Sequence, residues 1–376
     1  MCSLPMNVLL LTGYWPVVGT SVAIASCGEG ICLVVPRDEE ELARRGWADQ
    51  IIPFHPGSLD AVTTAAQQLR EPLQRAAKAH SNKARLGIEQ GETTEPASYA
   101  AMHLYGRTIE QLLEETFPAA VIECADDALA KLRSLKTPEE NNRIGTACRL
   151  AERAFQHGAS RLHPGVTELE AADLFRGSLS TALPDFPDVE RADGFVSCMS
   201  GPNSALASAA YARSRTRRIA SGDLVLIHCN SYADGYWTDI TRTYSIGQPD
   251  ARTKAIREAI FAAREAALQA IAPGVQAASI DDAARTVLSA HGFGKQFKHS
   301  TGHGVGFSAI DGNARPRLHP KSSDAMQQGM VFNVEPAVYI DGYGGIRHCD
   351  MLALHEGAAQ VLTPFQCRPE ELVLND

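Results

Sequence analysis

The sequence predicts an α/β N-terminal domain followed by an α+β C-terminal domain that contains an internal pseudo-twofold repeat. Three observations predict this layout. Short strands and helices alternate over the first third of the 376-residue chain, a strong helix start follows Leu135, and a helix–Pro-Gly-Val–helix arrangement occurs twice in the remainder. A chain of this length accommodates two domains, which we place at residues 1–135 and 136–376.

The first domain is predicted from short apolar runs separated by longer amphipathic segments. Gly28 and Gly30 indicate a hairpin turn between two of the strands. Alternating strands and helices are typical of a small α/β unit. Strands are expected at residues 7–11, 21–25, 31–35, 85–89 and 119–123, and helices at residues 39–45, 59–80 and 96–116.

The second domain begins with a well-marked helix. Thr137 is a good N-cap, Pro138 suits the first helical position, and Glu140 completes a capping box. This helix is expected to end at the Pro-Gly-Val sequence of residues 164–166. A second capping box, at Thr167, then opens the next helix.

The same arrangement recurs about 110 residues later in the chain. A helix over residues 251–271 is expected to end at a second Pro-Gly-Val, at residues 273–275, and a shorter helix is expected to begin at residues 279–282. This recurrence predicts two similar halves with a site between them. The alternative is a chance likeness of two Pro-Gly loops.

Composition excludes several classes of protein. The net charge is −9 and the isoelectric point is near 5.8, which argues against a nucleic-acid partner. A group of four arginines between residues 213 and 218 is interpreted as a solvated loop. Nine cysteines without a CxxC pair favour reduced thiols in a cytoplasmic protein. No apolar run approaches the ~18 residues that a membrane span requires.

Two expected strands each carry an ionisable residue that could contribute to a site. His228 lies on a strand over residues 222–230, and Asp239 lies on a returning strand over residues 236–246. Because side chains alternate along a strand, His228 shares a face with apolar neighbours and Asp239 shares one with hydroxyl neighbours. Since the two strands form a hairpin, the two side chains can converge on one site. A structural hydrogen bond is the other interpretation of this pair.

Further ligand-type residues follow along the chain. His299 and His303 flank a glycine-containing turn, and Glu335 lies in an apolar strand, where an unpaired charge is costly. His348 and Cys349 precede another apolar strand. Asp, Glu, His and Cys all bind divalent transition metals. The residues therefore indicate a metal or acid/base site, with scattered structural polar residues as the alternative.

Several of these segments resemble the family of methionine aminopeptidase, aminopeptidase P, prolidase and creatinase. The resemblance covers nearly the whole chain and implies a pita-bread fold for the C-terminal domain, a creatinase/prolidase-like N-terminal domain and hydrolysis of a C–N bond. The segments that carry it in order are LLTGY at 10–14, LVVP at 33–36, LKTPEE at 135–140, GPNS at 201–204, GD at 222–223, DITRT at 239–243, GHGVG at 302–306, EP at 335–336 and GGIR at 344–347.

The resemblance also implies a metal site, from which this sequence departs. The peptidases hold two divalent ions with two Asp, one His and two Glu, and Asp239, His303 and Glu335 fall on three of those positions. His228 replaces the first Asp and Cys349 replaces the last Glu. At the family's two proton-shuttle histidines the chain has Ser208 or Tyr211, and Ile310.

Fewer carboxylates and softer ligands predict at most one tightly bound divalent ion, Zn or Mn, with Zn favoured. Its ligands would be Asp239, His303 and Glu335, with Cys349 or His228 as an addition. Creatinase is the precedent for the alternative, a site without metal. There, histidines act as general acid or base because their pKa lies near neutrality. The candidate catalytic residues are His228, His299, His303, His348 and Glu335, and Arg347 is a candidate for binding substrate.

Three functions remain open from the sequence. The first is a metal-dependent peptidase that acts on Xaa-Pro bonds, and the second is a creatinase-like, metal-independent amidohydrolase of small molecules. The third is a catalytically inactive binding homologue, which retention of three buried ionisable residues disfavours. The expected ligand is a short peptide or a small molecule. A homodimer is expected from the resemblance.

Overall fold

The computed structural model describes residues 1–16, 21–55, 65–79, 85–89, 108–208, 213–311 and 313–375. The chain divides into two compact units, Met1–Arg133 and Ser134–Asp376. The division lies two residues before the one expected from the sequence. None of the helices in these ranges is both long and apolar enough to cross a membrane.

The first unit contains two small sheets with helices between their strands. In one sheet β1 pairs antiparallel with β2, and β2 pairs parallel with β3; in the other, β4 and β5 are parallel. The elements are α1 (Pro5–Thr12), β1 (Val22–Ser26), β2 (Gly30–Pro36), α2 (Glu40–Ala43), β3 (Gln50–Phe54), α3 (Ala65–Ala79), β4 (Arg85–Ile88), α4 (Thr108–Thr116), β5 (Val121–Cys124) and α5 (Asp126–Ser134).

One element of the first unit differs from the sequence prediction. Residues 7–11, expected as a strand, belong to helix α1, so that prediction is wrong. Pro5 occupies the start of the helix, and Gly13 ends it with φ 69° and an N–H bond to the Leu9 carbonyl. A short apolar run has no period that separates strand from helix, and the flanking proline and glycine decide the outcome.

The other expected helices of this unit are shorter where the structure describes them. The helix expected at 59–80 is present as Ala65–Ala79, and the one expected at 96–116 as Thr108–Thr116. Residues 56–64, 80 and 90–107 lie outside the described residues. The hairpin expected at Gly28 and Gly30 joins β1 to β2 as an antiparallel pair.

The second unit is built from two helix pairs and several short, mostly antiparallel strands. Its largest sheet has the order β17-β9-β7-β6, with β8 paired to β7; β12-β15-β16, β13-β14 and β10-β11 form the others. The helices are α6 (Pro138–Ala159), α7 (Glu168–Thr181), α8 (Ala251–Ala270) and α9 (Ala277–Ala290), and the strands are β6 (Ala192–Ser200), β7 (Leu224–Ala233), β8 (Tyr236–Trp237), β9 (Ile240–Ile246), β10 (Gly302–His303), β11 (Arg317–Leu318), β12 (Val331–Val334), β13 (Ala337–Ile340), β14 (Gly344–Arg347), β15 (Asp350–His355), β16 (Ala358–Val361) and β17 (Val373–Leu374).

The turns of the two helix pairs make the same backbone contacts. Gly165 (φ 95°) donates its N–H to the Ile219 carbonyl, and Gly274 (φ 84°) donates to the Met326 carbonyl, both at 2.8 Å. The positive φ angles favour glycine at these positions. Both expected capping boxes, at Thr137 and Thr167, are present. Helix α9 begins at Ala277, two residues before the expected start.

A buried carboxylate after each turn ties its helix to the following strand. Glu168 on α7 accepts the backbone N–H of Ser200 at 2.7 Å and its hydroxyl at 2.8 Å. Asp281 on α9 accepts the N–H of Thr301 at 2.9 Å and its hydroxyl at 2.8 Å. Two hydrogen bonds to one carboxylate therefore hold the residue just before each glycine-containing segment, which begins at Gly201 or Gly302, against its helix.

The main core of the second unit lies between helices α8 and α9 and the strands that face them. Ile260 and Ile280 from the helices and Leu226, Phe332 and Leu352 from the strands are at most 1% exposed. Burial of each such side chain contributes about 1.5–3 kcal/mol relative to an exposed one. This packing fixes the strands that carry the candidate site residues.

A charge cluster around the fully buried Asp350 also holds the strands together. Asp350 at the start of β15 lies 2.7 Å from the Arg242 guanidinium and 2.6 Å from that of Arg264, and Arg242 and Asp350 are 0% exposed. Burial by itself raises the pKa of Asp350, but Arg242, His348 and Arg264 hold it well below its ordinary value. Arg242 also donates to the carbonyl of Cys349 at 2.7 Å.

We expect Asp350→Asn to lower the free energy of unfolding by about 3–5 kcal/mol, because it leaves two guanidinium groups without their carboxylate. Asp185→Asn is the matched control, since Asp185 is exposed and 3.6 Å from Arg153; its effect should stay within about 0.5 kcal/mol. Urea unfolding followed by circular dichroism measures both. Equal stabilities of the two variants would contradict the role given to Asp350.

Candidate active site

Three candidate residues meet where short strands end and new ones begin. Asp239 lies between β8 and β9, Glu335 between β12 and β13, and Cys349 between β14 and β15. One ligand atom from each lies within 4.8 Å of the others, and all three residues are buried. At the second junction Pro336 has no N–H to continue a ladder. The side chains at these junctions are therefore directed into one space.

His303 completes the cluster and has a defined orientation. Its Nε2 lies 3.3 Å from Asp239 Oδ2 and 4.0 Å from Glu335 Oε1. Its Nδ1 lies 3.0 Å from the Gly304 carbonyl oxygen. Because a carbonyl only accepts, Nδ1 carries a proton, and Nε2 faces the two carboxylates. Either a proton or a metal cation on Nε2 makes this arrangement favourable.

Asn333 is a site residue that the sequence interpretation missed. Its Oδ1 accepts the His303 backbone N–H at 2.7 Å, and its Nδ2 lies 3.2 Å from Asp239 Oδ2 and 3.6 Å from Cys349 Sγ. The amide thus connects three members of the cluster. The sequence signal was an amide in an otherwise apolar strand, two residues before Glu335 and hence on the same face.

His228 contacts the cluster from the neighbouring strand. Its Nε2 lies 3.0 Å from Asp239 Oδ1, and its side chain is 24% exposed. The register of β7 and β9 pairs His228 with Thr241, which brings the ring beside Asp239. Burial raises the pKa of Asp239, but His228 and His303 together bring it below its ordinary value.

Cys349 is a neutral thiol in this arrangement. Its Sγ lies 3.1 Å from the backbone carbonyl oxygen of Asp239, to which it donates. Burial, with Asp239 and Glu335 nearby, raises the pKa of the thiol well above its ordinary value. A thiolate ligand would therefore form only as a cation binds and releases the proton.

Arg347 lies behind Glu335 and makes several contacts. Its Nη1 is 3.8 Å from Glu335 Oε2 and 3.5 Å from the Tyr339 hydroxyl, and its Nε donates to Thr241 Oγ1 at 2.9 Å. Burial raises the pKa of Glu335, Arg347 opposes this, and Asp239 adds to it, with a net rise. The guanidinium therefore holds Glu335 in place and offsets part of its charge.

Two histidines predicted as catalytic lie outside this cluster. The His299 Nε2 bonds to the Tyr339 hydroxyl at 3.0 Å, and burial followed by the charge of Arg347 lowers the pKa of His299 to about 4. His348 lies on the opposite side of its strand from Cys349, because side chains alternate along extended backbone. Its ring packs 4.9 Å from Phe261, and its Nε2 is 3.3 Å from Asp350. The role of His348 as acid or base stays a prediction.

The positions expected to hold proton shuttles differ in what the structure shows. Ser208 ends a 3-10 helix over Gly201–Ser208, and Ile310 is partly buried in the loop after β10. Neither side chain titrates near neutrality. Tyr211 lies outside the described residues.

The donor set fits one divalent cation. Two carboxylates are the negative groups, and His303 and Arg347 face them. Burial lowers the pKa of His303, but its contact with Asp239 and the charge of Glu335 raise it to about 9. A cation that replaces this proton would gain two carboxylate oxygens and an oriented imidazole nitrogen, which are ordinary zinc ligands. His228 and Cys349, which also contact Asp239, bring no further carboxylate to this set.

We expect Cys349 to resist alkylation in the folded protein, because it is 0% exposed and its thiolate is disfavoured. Cys27 and Cys124 are exposed and should react with N-ethylmaleimide under native conditions. Mass spectrometry of peptides, with and without prior unfolding, reads each position, and buried Cys148 serves as the matched control. Native labelling of Cys349 at the rate of Cys27 would contradict the geometry described.

Comparison with known proteins places this chain in a family. A sequence model of metallopeptidase family M24 matches residues 142–356. The uncharacterized peptidase YqhT of Bacillus subtilis is 31% identical over 290 residues, which cover 77% of this chain and 75% of that protein. A Xaa-Pro dipeptidase of Pyrococcus horikoshii is 28% identical over 357 residues, which cover 95% of this chain and 90% of that protein. The solved structure of prolidase from Pyrococcus furiosus has a TM-score of 0.74 at 28% identity and covers 97% of this chain and 96% of that one.

These likenesses confirm the expected family and its pita-bread fold. The family match spans the strands and loops that carry His228, Asp239, His303, Glu335 and Cys349. The chain is a hydrolase that belongs to metallopeptidase family M24.

Proposed function

We propose that the protein is a metal-dependent hydrolase that cleaves a peptide bond next to proline in short peptides, with one divalent ion at its centre. One observation carries this proposal: His303 presents Nε2, with its proton fixed on Nδ1, to the carboxylates of Asp239 and Glu335. The relatives named Xaa-Pro dipeptidase and prolidase support the substrate class.

The proposed ligands are Asp239, His303 and Glu335, with Cys349 or His228 as the fourth. Zn or Mn fits this set, and sulfur and nitrogen donors favour Zn. A second ion would need further carboxylates, because two divalent ions carry four positive charges. The imidazole of His228 and the protonated thiol of Cys349 supply no negative charge. When bound, the ion supplies Lewis acidity and lowers the pKa of a coordinated water.

The surrounding residues have proposed roles that follow from their contacts. Asp239 orients His228 through Nε2, so the other ring nitrogen is the one placed to exchange a proton with water or substrate. Arg347 fixes Glu335, while its proposed contact with substrate stays a prediction. Asn333 holds the backbone of His303 and one oxygen of Asp239. These contacts orient the reacting groups before substrate arrives.

The second candidate is a creatinase-like, metal-independent amidohydrolase of small molecules. The observation that favours it is the charge balance of the cluster without an ion. His303, with its pKa raised to about 9, and Arg347 together offset Asp239 and Glu335. In that case His228 would be the acid or base, and Glu335 would bind a cationic substrate.

Three further statements are part of the proposal. The two helix pairs are halves of an internal pseudo-twofold repeat, which the matched contacts of Gly165 and Gly274 support. The protein forms a homodimer. It works in the cytoplasm, which the absence of cysteine pairs in the described residues supports.

We expect metal analysis of the purified protein to give one Zn or Mn per chain. Asp239→Ala and His303→Ala should each abolish it, whereas Asp185→Asn, at an exposed position, should not. The double variant His228→Asp with Cys349→Glu adds two carboxylates and should raise the content to two ions. Two ions in the unmodified protein would overturn the one-ion proposal.

We expect hydrolysis of Xaa-Pro dipeptides that a chelator abolishes and that Zn or Mn restores. Losing a residue that only orients a metal ligand costs up to about 100-fold in activity. Because Asp239 is itself a proposed ligand, Asp239→Ala should lower kcat/KM by at least about 100-fold. Turnover of a small amide or guanidino compound that resists chelators would instead support the creatinase-like candidate. Absence of both activities would contradict both proposed functions.

A further inference from the structure

The face of the large sheet that carries His228 changes from buried to exposed at this residue. Leu226 on β7 and its partner Met199 on β6 are buried in the core. From His228 onward, alternate residues of both strands become partly or fully exposed. The face is therefore covered on one side of the candidate site and open on the other.

Three aromatic side chains lie on the open part of this face. Tyr232 pairs with Trp237 across β7 and β8, and their rings are 4.9 Å apart. Phe195 on β6 lies nearly parallel to Trp237, with ring centroids 6.3 Å apart and planes at 6°. Phe195 is 71% exposed, which is unusual for so large an apolar side chain beside a site.

This aromatic face is continuous with the candidate site through the strand register. The pairings Tyr232 with Trp237 and His228 with Thr241 belong to one register, which puts Asp239 opposite Asn230. Trp237 is two residues from Asp239, a distance of roughly 6–7 Å along a strand. Two residues of an extended peptide span that distance.

Asn230 lies between the aromatic rings and the site. It pairs with Phe195 on β6. Among the residues that the structure describes, its Nδ2 has no hydrogen-bond acceptor. An unpaired buried donor is unfavourable, so this amide has an unused capacity to donate a hydrogen bond.

We infer that Phe195, Tyr232 and Trp237 form a subsite that binds an aromatic or large apolar side chain of the substrate, within two residues of the scissile bond. An aromatic ring on this face would cover Phe195 and Trp237 and gain stacking in addition to apolar burial. The inference rests on the proposed function in taking a peptide as the substrate. The aromatic face itself is inferred from the positions of the three side chains alone.

The test compares kcat/KM for Phe-Pro and Ala-Pro with the metal-loaded, full-length protein. The unmodified protein should prefer Phe-Pro at least about tenfold. Phe195→Ala should lower that ratio about three- to tenfold, chiefly through KM for Phe-Pro. The control is Leu169→Ala, at another exposed apolar side chain (51%), which should leave the ratio unchanged.

A binding measurement separates failure of the subsite from failure of the proposed function. Titration with phenylalanine amide and alanine amide is followed by tryptophan fluorescence, with Trp237→Phe to identify the reporting residue. Tighter binding of phenylalanine amide, weakened by Phe195→Ala, supports the subsite even if no dipeptide is hydrolysed.

Two outcomes would overturn the subsite. In the first, dipeptides are hydrolysed with no preference for Phe-Pro, and Phe195→Ala has no effect; the proposed function then stands without it. In the second, Phe195→Ala changes the molar mass measured by light scattering while the ratio stays constant. That result would assign the aromatic face to contact between two copies of the chain.

Discussion

The close approach of two buried carboxylates, Asp239 and Glu335, is the constraint on which the rest of the site depends. Buried charge of one sign is unfavourable unless positive charge lies beside it. His303 and Arg347 supply that charge in the structure described, and a divalent cation on His303 Nε2 would supply more. The fixed proton on His303 Nδ1 and the amide of Asn333 both serve to hold this balance in one geometry.

The fold keeps this cluster apart from a second one directly behind it. Asp350, with Arg242 and Arg264, lies on the opposite side of the strand junction that carries Cys349. Alternation of side chains along extended backbone separates the two groups over two residues. Arg242 nevertheless connects them, because it donates to the Cys349 carbonyl and bonds Asp350 at once. The ion pair that stabilises the fold therefore also positions a site residue.

The two departures from the ligand set that the sequence resemblance implies act in the same direction. His228 and Cys349 stand where that resemblance implies carboxylates, and neither an imidazole nor a protonated thiol carries negative charge. A site with two carboxylates is balanced by one divalent ion, or by a protonated histidine and an arginine. The choice between these states governs which of the two proposed chemistries operates, and the aromatic face beside the site bears on which substrate is bound.

The sequence by itself determined the family, the helix starts at Thr137 and Thr167 and the two Pro-Gly-Val turns, and it singled out Asp239, His303 and Glu335 as candidates, because caps, turns and short motifs are local. It failed at residues 7–11, where an apolar run fits either strand or helix until its ends are considered. Only the tertiary structure placed Asn333 among the ligand-type residues, turned His348 away from Cys349 and set His299 beside Tyr339. Those outcomes depend on which strands pair and where each one ends, and that is decided by packing between segments distant in the chain.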